Sequence, residues 1–435
     1  MKRANGEIHM HRITHEKQIR RTIEAEFDRT GGVFRLAPCW VGRPGIIIPG
    51  RRIKLLDDYF SQDVAVNERW LASVTYADNG GYNKFCPKDH GYSYIVVGDA
   101  KIQLKDALAV CGELLLGKGR AWDVLPKFFD NNGRIPHHLH PCDKHVRQGL
   151  TGKPESYHFP LELNVNRNAL PATPLGVDPA YTDEQILSYL RRYFDGDNRL
   201  TDLANTVNLV PGTGYFMPPC TLHAPGSLVT YELQVASDVT CIPESRVGDM
   251  VMPPDLVDRD LPVTVARDGR EAVFQYILKM IQCPDSGNRE NFRQEYFRPP
   301  VTVREEGARR QDFVIYRCGR ASRKYNPDLY SSKHTTVPGQ ADWTLHENAA
   351  FGTIVLGGYG TFQVPGKSPV TVASASLYHK RDEILADEVF VAAAAARQLQ
   401  VACASAERLS FYQHFASHSN PEARALEAPE YLAFG

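Results

Sequence analysis

The sequence predicts a mainly β protein, two jelly-roll barrels with short helical insertions. Three observations carry that reading. Short apolar runs alternate with turns supplied by 33 glycines and 29 prolines among the 435 residues, which is the grammar of sandwiches and barrels. Helical periodicity is confined to a few separated stretches. The strand-and-turn pattern also recurs: residues 207–225 and 335–362 each set a Pro-Gly turn (Pro211-Gly212 and Pro338-Gly339) among strand-like runs.

Taken in order, residues 8–30 read as a charged helix closed by Gly31-Gly32, with His9, His11 and His15 at its solvated start. Residues 45–56 read as a strand, a turn at Pro49-Gly50 and a second extended piece, and residues 67–83 as a strand closed by a Gly-rich turn. Residues 103–116 carry apolar side chains at helical spacing with Gly117 just beyond. A strand over residues 122–129, a turn on Asn131-Asn132-Gly133 and a second extended segment follow. Residues 181–193 form a short helix capped by Thr182 with acidic residues in its first turn, an insertion between strands. Residues 205–239 return to strands. The expected division is residues 1–125 completing the first barrel, 126–245 a metal-binding barrel, and 246–310 a Pro-rich, charged connector with one helix near 271–281. Residues 311–416 form a second, degenerate barrel, and 417–435 a C-terminal tail.

Charge bounds the function. Fifty basic residues face 51 acidic ones, a net charge of -1, which argues against nucleic acid or an anionic membrane surface as partner. The nine cysteines are scattered and include no Cys-x-x-Cys pair, so neither a disulfide framework nor a zinc knuckle is favoured. The polar N-terminus has no apolar signal core, and the longest apolar runs, such as residues 389–396, are too short to span a bilayer. The expectation is a cytoplasmic protein acting on a small molecule. The sequence specifies no oligomeric state.

The chemistry concentrates in residues 133–159. His138 and His140 are two apart, so an extended backbone turns both to one face. Fifteen residues on, Glu155 ends a Gly-Lys-Pro-Glu turn that can return alongside them, and His223 offers a fourth donor. Three imidazoles and a carboxylate suit Zn²⁺ or another divalent first-row metal. The second barrel has His334 and His346 but no His-x-His pair and no Lys-Pro-Glu, so it is expected to serve as structure without a metal.

These residues resemble type I mannose-6-phosphate isomerases, zinc enzymes of the cupin superfamily. That family carries Gln-x-His-Pro, then Gly-Lys-Thr-Glu, then a Pro-Gly turn leading to Leu-Pro and His-Ala. Here the pieces read His138-Leu139-His140-Pro141, Gly152-Lys153-Pro154-Glu155, and Pro211-Gly212 through Pro218 to His223-Ala224. Glu232 through Ser237-Asp238 resembles the family's Glu-Cys-Met-Ala-Asn-Ser-Asp, and Glu68-Arg69-Trp70 its Gly-Glu-x-Trp. Lys127 stands thirteen residues before His140, where the family has a lysine. The resemblance covers residues 45–240, in order. It departs at His138, where the family has glutamine, and at Pro225, where it has tyrosine. An arginine expected near Ile242 is missing, with Arg246 four residues later.

The resemblance implies two cupin-type barrels and an aldose–ketose isomerase acting on a sugar or sugar phosphate through an enediol. Its metal ligands would be His138, His140, Glu155 and His223. Such a reaction needs a proton carrier of near-neutral pKa and an electrophile for the developing oxyanion, which a zinc ion supplies. Glu232, from its match to the family element, and Lys153, which a strand would turn to the same face as Glu155 two residues on, are the acid–base candidates. Arg246 is the stand-in for the missing arginine, and Lys127 and Lys144 are set to meet the substrate. A metal-dependent cupin oxygenase, or a carbohydrate-binding cupin without catalysis, are the alternatives on the same donor set.

Overall fold

In the computed structural model the described residues are 10–50, 52–53, 66–165, 171–284, 286–288, 292–316, 328–374 and 386–427. The fold is mainly β, as expected. Six short strands whose side chains alternate between two buried faces form one antiparallel sheet. Its order is Gly214–Met217, Glu155–His158, Thr230–Val235, Val124–Phe129, Val66–Trp70 and Cys39–Gly42. Glu232 sits directly across from Lys127 on one side and Tyr157 on the other. The alternate positions, among them Phe128 and Tyr231, turn to the opposite face.

That opposite face packs on a ten-stranded sheet. Phe128 stacks at 5.4 Å on Tyr231, and Tyr231 at 4.6 Å on Tyr412 of the strand Arg408–Phe415. The Tyr231 hydroxyl hydrogen-bonds Ser332 at 3.1 Å, satisfying the polar end of an otherwise apolar ring. Arg69 reaches across as well, meeting Asp387 at 2.9 and 2.8 Å and Glu388 at 3.1 Å. A further four-stranded sheet covers the C-terminal strands over a second core that includes Phe351, Phe362, Val401 and Phe411. Among the described residues the ladders of these sheets are open orders of strands rather than closed rings.

The N-terminal strands divide differently from expectation. Only Cys39–Gly42 and Val66–Trp70 complete the six-stranded sheet. Val33–Ala37 pairs with Glu388–Val391, and Tyr94–Val97 and Ala100–Gln103 extend that second sheet. The physical reason is burial. Val33 and Phe34 are fully buried, Val33 in the C-terminal core and Phe34 in the core between the large sheets.

The helices fall near their expected places. Glu16–Thr30 ends at Gly31, whose φ of 73° lets its N–H close on the Phe27 carbonyl at 2.7 Å. Leu104–Leu116 stops at Gly117. Asp183–Arg191 begins with a capping box between Thr182 and Gln185. His11 lies in a two-residue strand beside Ala100, while His9 is outside the described residues. The expected strand over residues 45–56 is instead a turn followed by an isolated pairing of Pro49 with Asn131, and residues 54–56 are outside the described range. Cys318 and the end of the C-terminal tail also lie outside it. The segment read as a connector contributes a helix, Arg270–Ile281, whose Phe274 and Ile277 bury against Ile186, Leu187 and Leu190 of the 183–191 helix.

Candidate metal centre and its cleft

His138 and His140 sit on an extended segment rather than in a full strand. His138 exchanges both backbone hydrogen bonds with His223, each 2.9 Å, and Leu139 does the same with Cys241 at 3.0 and 2.9 Å. This short ladder brings the three imidazoles together, with ring centroids 4.2 to 5.2 Å apart. Their ligand nitrogens all lie within 4.8 Å of one another. Glu155, first residue of its strand, closes the set, with Oε2 at 3.0 Å from His140 Nε2 and Oε1 at 2.9 Å from His223 Nε2.

The ring tautomers follow from the surroundings. His138 Nδ1 donates to the Pro136 carbonyl at 2.7 Å, His140 Nδ1 to Val239 at 2.7 Å and His223 Nδ1 to Thr221 at 2.8 Å. A carbonyl oxygen only accepts, so each Nδ1 carries the proton and each Nε2 presents a lone pair. Burial, and then the neighbouring imidazole His223, hold His138 well below the usual histidine range, and burial with Lys153 brings His140 to about 4. Burial alone would raise the Glu155 carboxyl, but Lys153 and the two facing histidines outweigh it and hold it well below the usual range. The Tyr157 hydroxyl donates to the same carboxylate. His223 Nε2 is buried without a hydrogen-bond partner. Neutral imidazoles held by backbone carbonyls, opposed to an ionised carboxylate, fit a divalent cation.

Beside this cluster runs a line of buried charge. Lys153 Nζ lies 3.0 Å from Glu155 Oε2, 3.1 Å from His140 Nε2 and 3.6 Å from Glu232 Oε1. Lys127 Nζ meets the same Glu232 oxygen at 3.2 Å. Burial, reinforced by Glu155, pushes Glu232 up to about 8 against the pull of the two lysines. Lys153 reaches this position from the coil before the strand, its N–H bound to the Pro141 carbonyl at 3.1 Å, so strand alternation is not what aims it.

His138, His140 and Glu155 of the cluster line one cleft of about 80 Å³ together with Lys127, Lys153 and Glu232, and His223 is not part of that lining. Arg43 forms one wall, gripping Asp238 at 3.0 and 2.7 Å and Glu68 at 3.2 Å. Trp70 Nε1 donates to the same Glu68 at 2.6 Å, so the Glu68-Arg69-Trp70 and Ser237-Asp238 elements meet through Arg43. Arg259 lines the cleft too, and its buried Nε and Nη1 have no hydrogen-bond partner. Sequence reasoning missed both arginines. Arg259 comes from a loop of the segment read as a connector, and no spacing ties it to the histidines.

Two expected residues lie elsewhere. Arg246 is on a two-stranded hairpin outside the cleft lining, its Nε bonded to the Gly248 carbonyl at 3.1 Å. Lys144 is exposed and outside the lining. Pro225 and Ile242, at the family's tyrosine and near its arginine, are both part of the wall. In the C-terminal half, His334 Nε2 faces Glu162 at 3.4 Å and the exposed His346 hydrogen-bonds the Arg397 carbonyl, so the two do not form a second such cluster.

Three convergent imidazoles and a carboxylate on antiparallel sheet define the chain as a β-protein with a candidate site for a divalent metal. Its fold, more particularly, is that of the mannose-6-phosphate isomerases. The chain is similar to the mannose 6-phosphate isomerase of Bacillus subtilis, with a TM-score of 0.58 and 15% identity over 88% of this chain and 99% of that one. It is similar to a putative mannosephosphate isomerase from Archaeoglobus fulgidus, with a TM-score of 0.55 and 14% identity over 89% and 98%. A phosphomannose isomerase mutant from Salmonella typhimurium follows, with a TM-score of 0.54 and 12% identity over 89% and 100%. No protein-family model and no curated protein matches the chain in sequence. At such identities the likeness is one of fold.

Proposed function

We propose that this protein is a metal-dependent aldose–ketose isomerase acting on a sugar phosphate, in the manner of mannose-6-phosphate isomerases, with zinc as its metal. One observation carries the reading: His138, His140 and Glu155 line the same cleft as the buried array Lys127–Glu232–Lys153, and His223 completes their cluster. Zinc would supply a Lewis acid for the two substrate oxygens. Glu232 takes the C2 proton of the open-chain aldose and returns it to C1. Lys153 manages the second proton, which leaves O2 and ends on O1, so that the aldehyde becomes an alcohol and the alcohol a ketone. Lys127 holds the Glu232 carboxylate in place. Arg259, with two unengaged N–H groups at the cleft wall, binds the phosphate. The two sheet systems are read as two jelly-roll barrels of the cupin kind, which is what the likeness to the isomerase structures supports.

The test is to purify the protein without added metal, measure what it holds, and assay interconversion of mannose 6-phosphate and fructose 6-phosphate beside the free sugars. The expected result is zinc with turnover of the phosphorylated sugar, abolished in His140→Ala. Iron in place of zinc, or zinc without turnover of any aldose, would overturn the reading.

A further inference from the structure

Next to the histidine cluster, but outside the cleft lining, three cysteines and a histidine from three separate parts of the chain come together. We propose that Cys142, His145, Cys220 and Cys283 form a second metal site, a structural one, that takes Zn²⁺ in a Cys₃His set. The ligand atoms of Cys142, His145 and Cys283 all lie within 4.8 Å of one another. The Cys220 thiol is within hydrogen-bonding reach of both Cys142 and Cys283, and His145 within reach of Cys283. Tetrahedral zinc with Zn–S bonds of about 2.3 Å sets its sulfurs about 3.8 Å apart, so Cys142, His145 and Cys283 need a contraction on the order of 1 Å or less, and Cys220 moves in from beside them as the fourth ligand.

The backbone arranges these side chains in ways that ordinary core packing does not require. Cys142 and His145 share a tight turn, the His145 and Val146 N–H groups both closing on the Cys142 carbonyl at 2.8 and 3.0 Å. Cys220 holds a left-handed conformation, φ 64°, which is uncommon for a residue with a Cβ. It is fixed there by its N–H on the His140 carbonyl and by Asn288 Nδ2 on its own carbonyl, each at 2.6 Å. Cys283 follows directly on the Arg270–Ile281 helix, its N–H on the Met280 carbonyl at 3.0 Å. The Tyr276 hydroxyl of that helix engages His145 Nδ1 at 3.1 Å, leaving Nε2 for an ion, the partner that orients a metal-bound imidazole. No disulfide joins the cysteines, and Cys142 and Cys283 are half-buried, so an ion has a way in.

Binding is balanced as follows. Zn²⁺ displaces one proton from each of three thiols, the imidazole stays neutral, and three protons leave to solvent, giving a complex of net charge -1. Lys144 and Lys279 are the cations that act on His145, placed to face that charge. Cys142 lies two residues after His140, and Cys220 three before His223. An ion held here would tie the 270–281 helix to both histidine-bearing segments and fix the cleft from behind.

Cobalt separates this site from the cleft, because only thiolate ligands give a thiolate-to-Co²⁺ charge-transfer band in the near ultraviolet. The full chain, stripped by chelator under reducing conditions and titrated with Co²⁺, is expected to show that band. It should persist in His140→Ala and vanish in Cys142→Ser and Cys283→Ser, with one equivalent of zinc per chain lost from each serine variant as purified. Failure of the isomerase reading leaves the band untouched, so the two outcomes are distinguishable. Wild-type protein that binds cobalt without the band would overturn the proposal. So would metal-free protein whose intact mass lacks the hydrogens of two thiols, the sign of a Cys142–Cys220 disulfide. Should a serine variant fail to fold, the wild-type spectrum still decides.

Discussion

His223 Nε2 faces Glu155 Oε1 across 2.9 Å, while Nδ1 of the same ring spends its proton on the Thr221 carbonyl. Nitrogen and oxygen thus oppose each other lone pair to lone pair. Two buried acceptors at that distance repel unless a cation lies between them or a proton is taken up. His138 and His140, held below the usual histidine range chiefly by burial, turn their own Nε2 lone pairs toward the same point, which is the arrangement a bound cation satisfies.

Stability is therefore expected to depend on metal. At free zinc a hundredfold above its dissociation constant, a site bound only in the folded state adds about 2.7 kcal/mol. In His223→Ala the zinc-dependent increment, measured by urea unfolding with and without chelator, should shrink by about that amount. An unchanged increment would mean that the histidine cluster does not bind the ion.

Glu232 is the group whose loss should fall on the chemical step. Glu232→Gln keeps the shape and the place opposite Lys127 but cannot carry a proton. General acid–base catalysis is worth about 10²–10⁴-fold, so kcat should drop in that range with KM little changed. Steady-state assay with mannose 6-phosphate reads the split, and a variant retaining wild-type kcat removes Glu232 from the mechanism.

The cleft arginine and the two basic residues outside it make opposite predictions. A hydrogen bond to a charged group is worth about 1.5–3 kcal/mol, so Arg259→Ala should lower kcat/KM for the phosphorylated sugar about tenfold or more and spare the free sugar. Arg246, bonded to Gly248 on its hairpin, and exposed Lys144 should each be replaceable by alanine with kcat/KM held within about twofold. A large loss in Arg246→Ala would restore it to the role its sequence position suggested.

The contrast between these residues shows what a linear reading reaches. His138, His140, Glu155 and His223 were legible because each sits on a short extended piece, where spacing fixes the face and a turn fixes the return. Lys153 was named through strand alternation and arrives in the cleft from coil instead. Arg43 and Arg259 were not legible, since a loop residue's approach to a distant site is set by tertiary packing that leaves no periodic trace. The same holds for Val33–Ala37, whose partner strand Glu388–Val391 is more than 350 residues away. The cysteine cluster escaped because its members are scattered in sequence and joined only by the packing of one helix onto the loops beside the histidines.

Burial away from the cleft gives a last prediction, on pH. His414 is fully buried beside Trp122, its two ring nitrogens without hydrogen-bond partners, and burial alone brings it down to about 3. A depressed histidine stabilises the fold above its unfolded value of about 6.5, and that contribution is lost as pH falls toward 3, because the unfolded chain binds the proton first. His158, brought to about 3 by burial and then by His334, acts in the same direction. Glu388, raised by burial to about 7, acts oppositely between 4.5 and 7, where the folded state holds the extra proton, and is silent below that window. His414 is one of several shifted groups in this balance, and its own share is isolated by a variant. His414→Gln removes one histidine from the balance, so the fall in unfolding free energy from pH 7 to pH 5 should be about 2 kcal/mol smaller than in the parent. Urea unfolding at the two pH values measures it, and parallel losses in both proteins would mean that His414 already takes up its proton in the folded state.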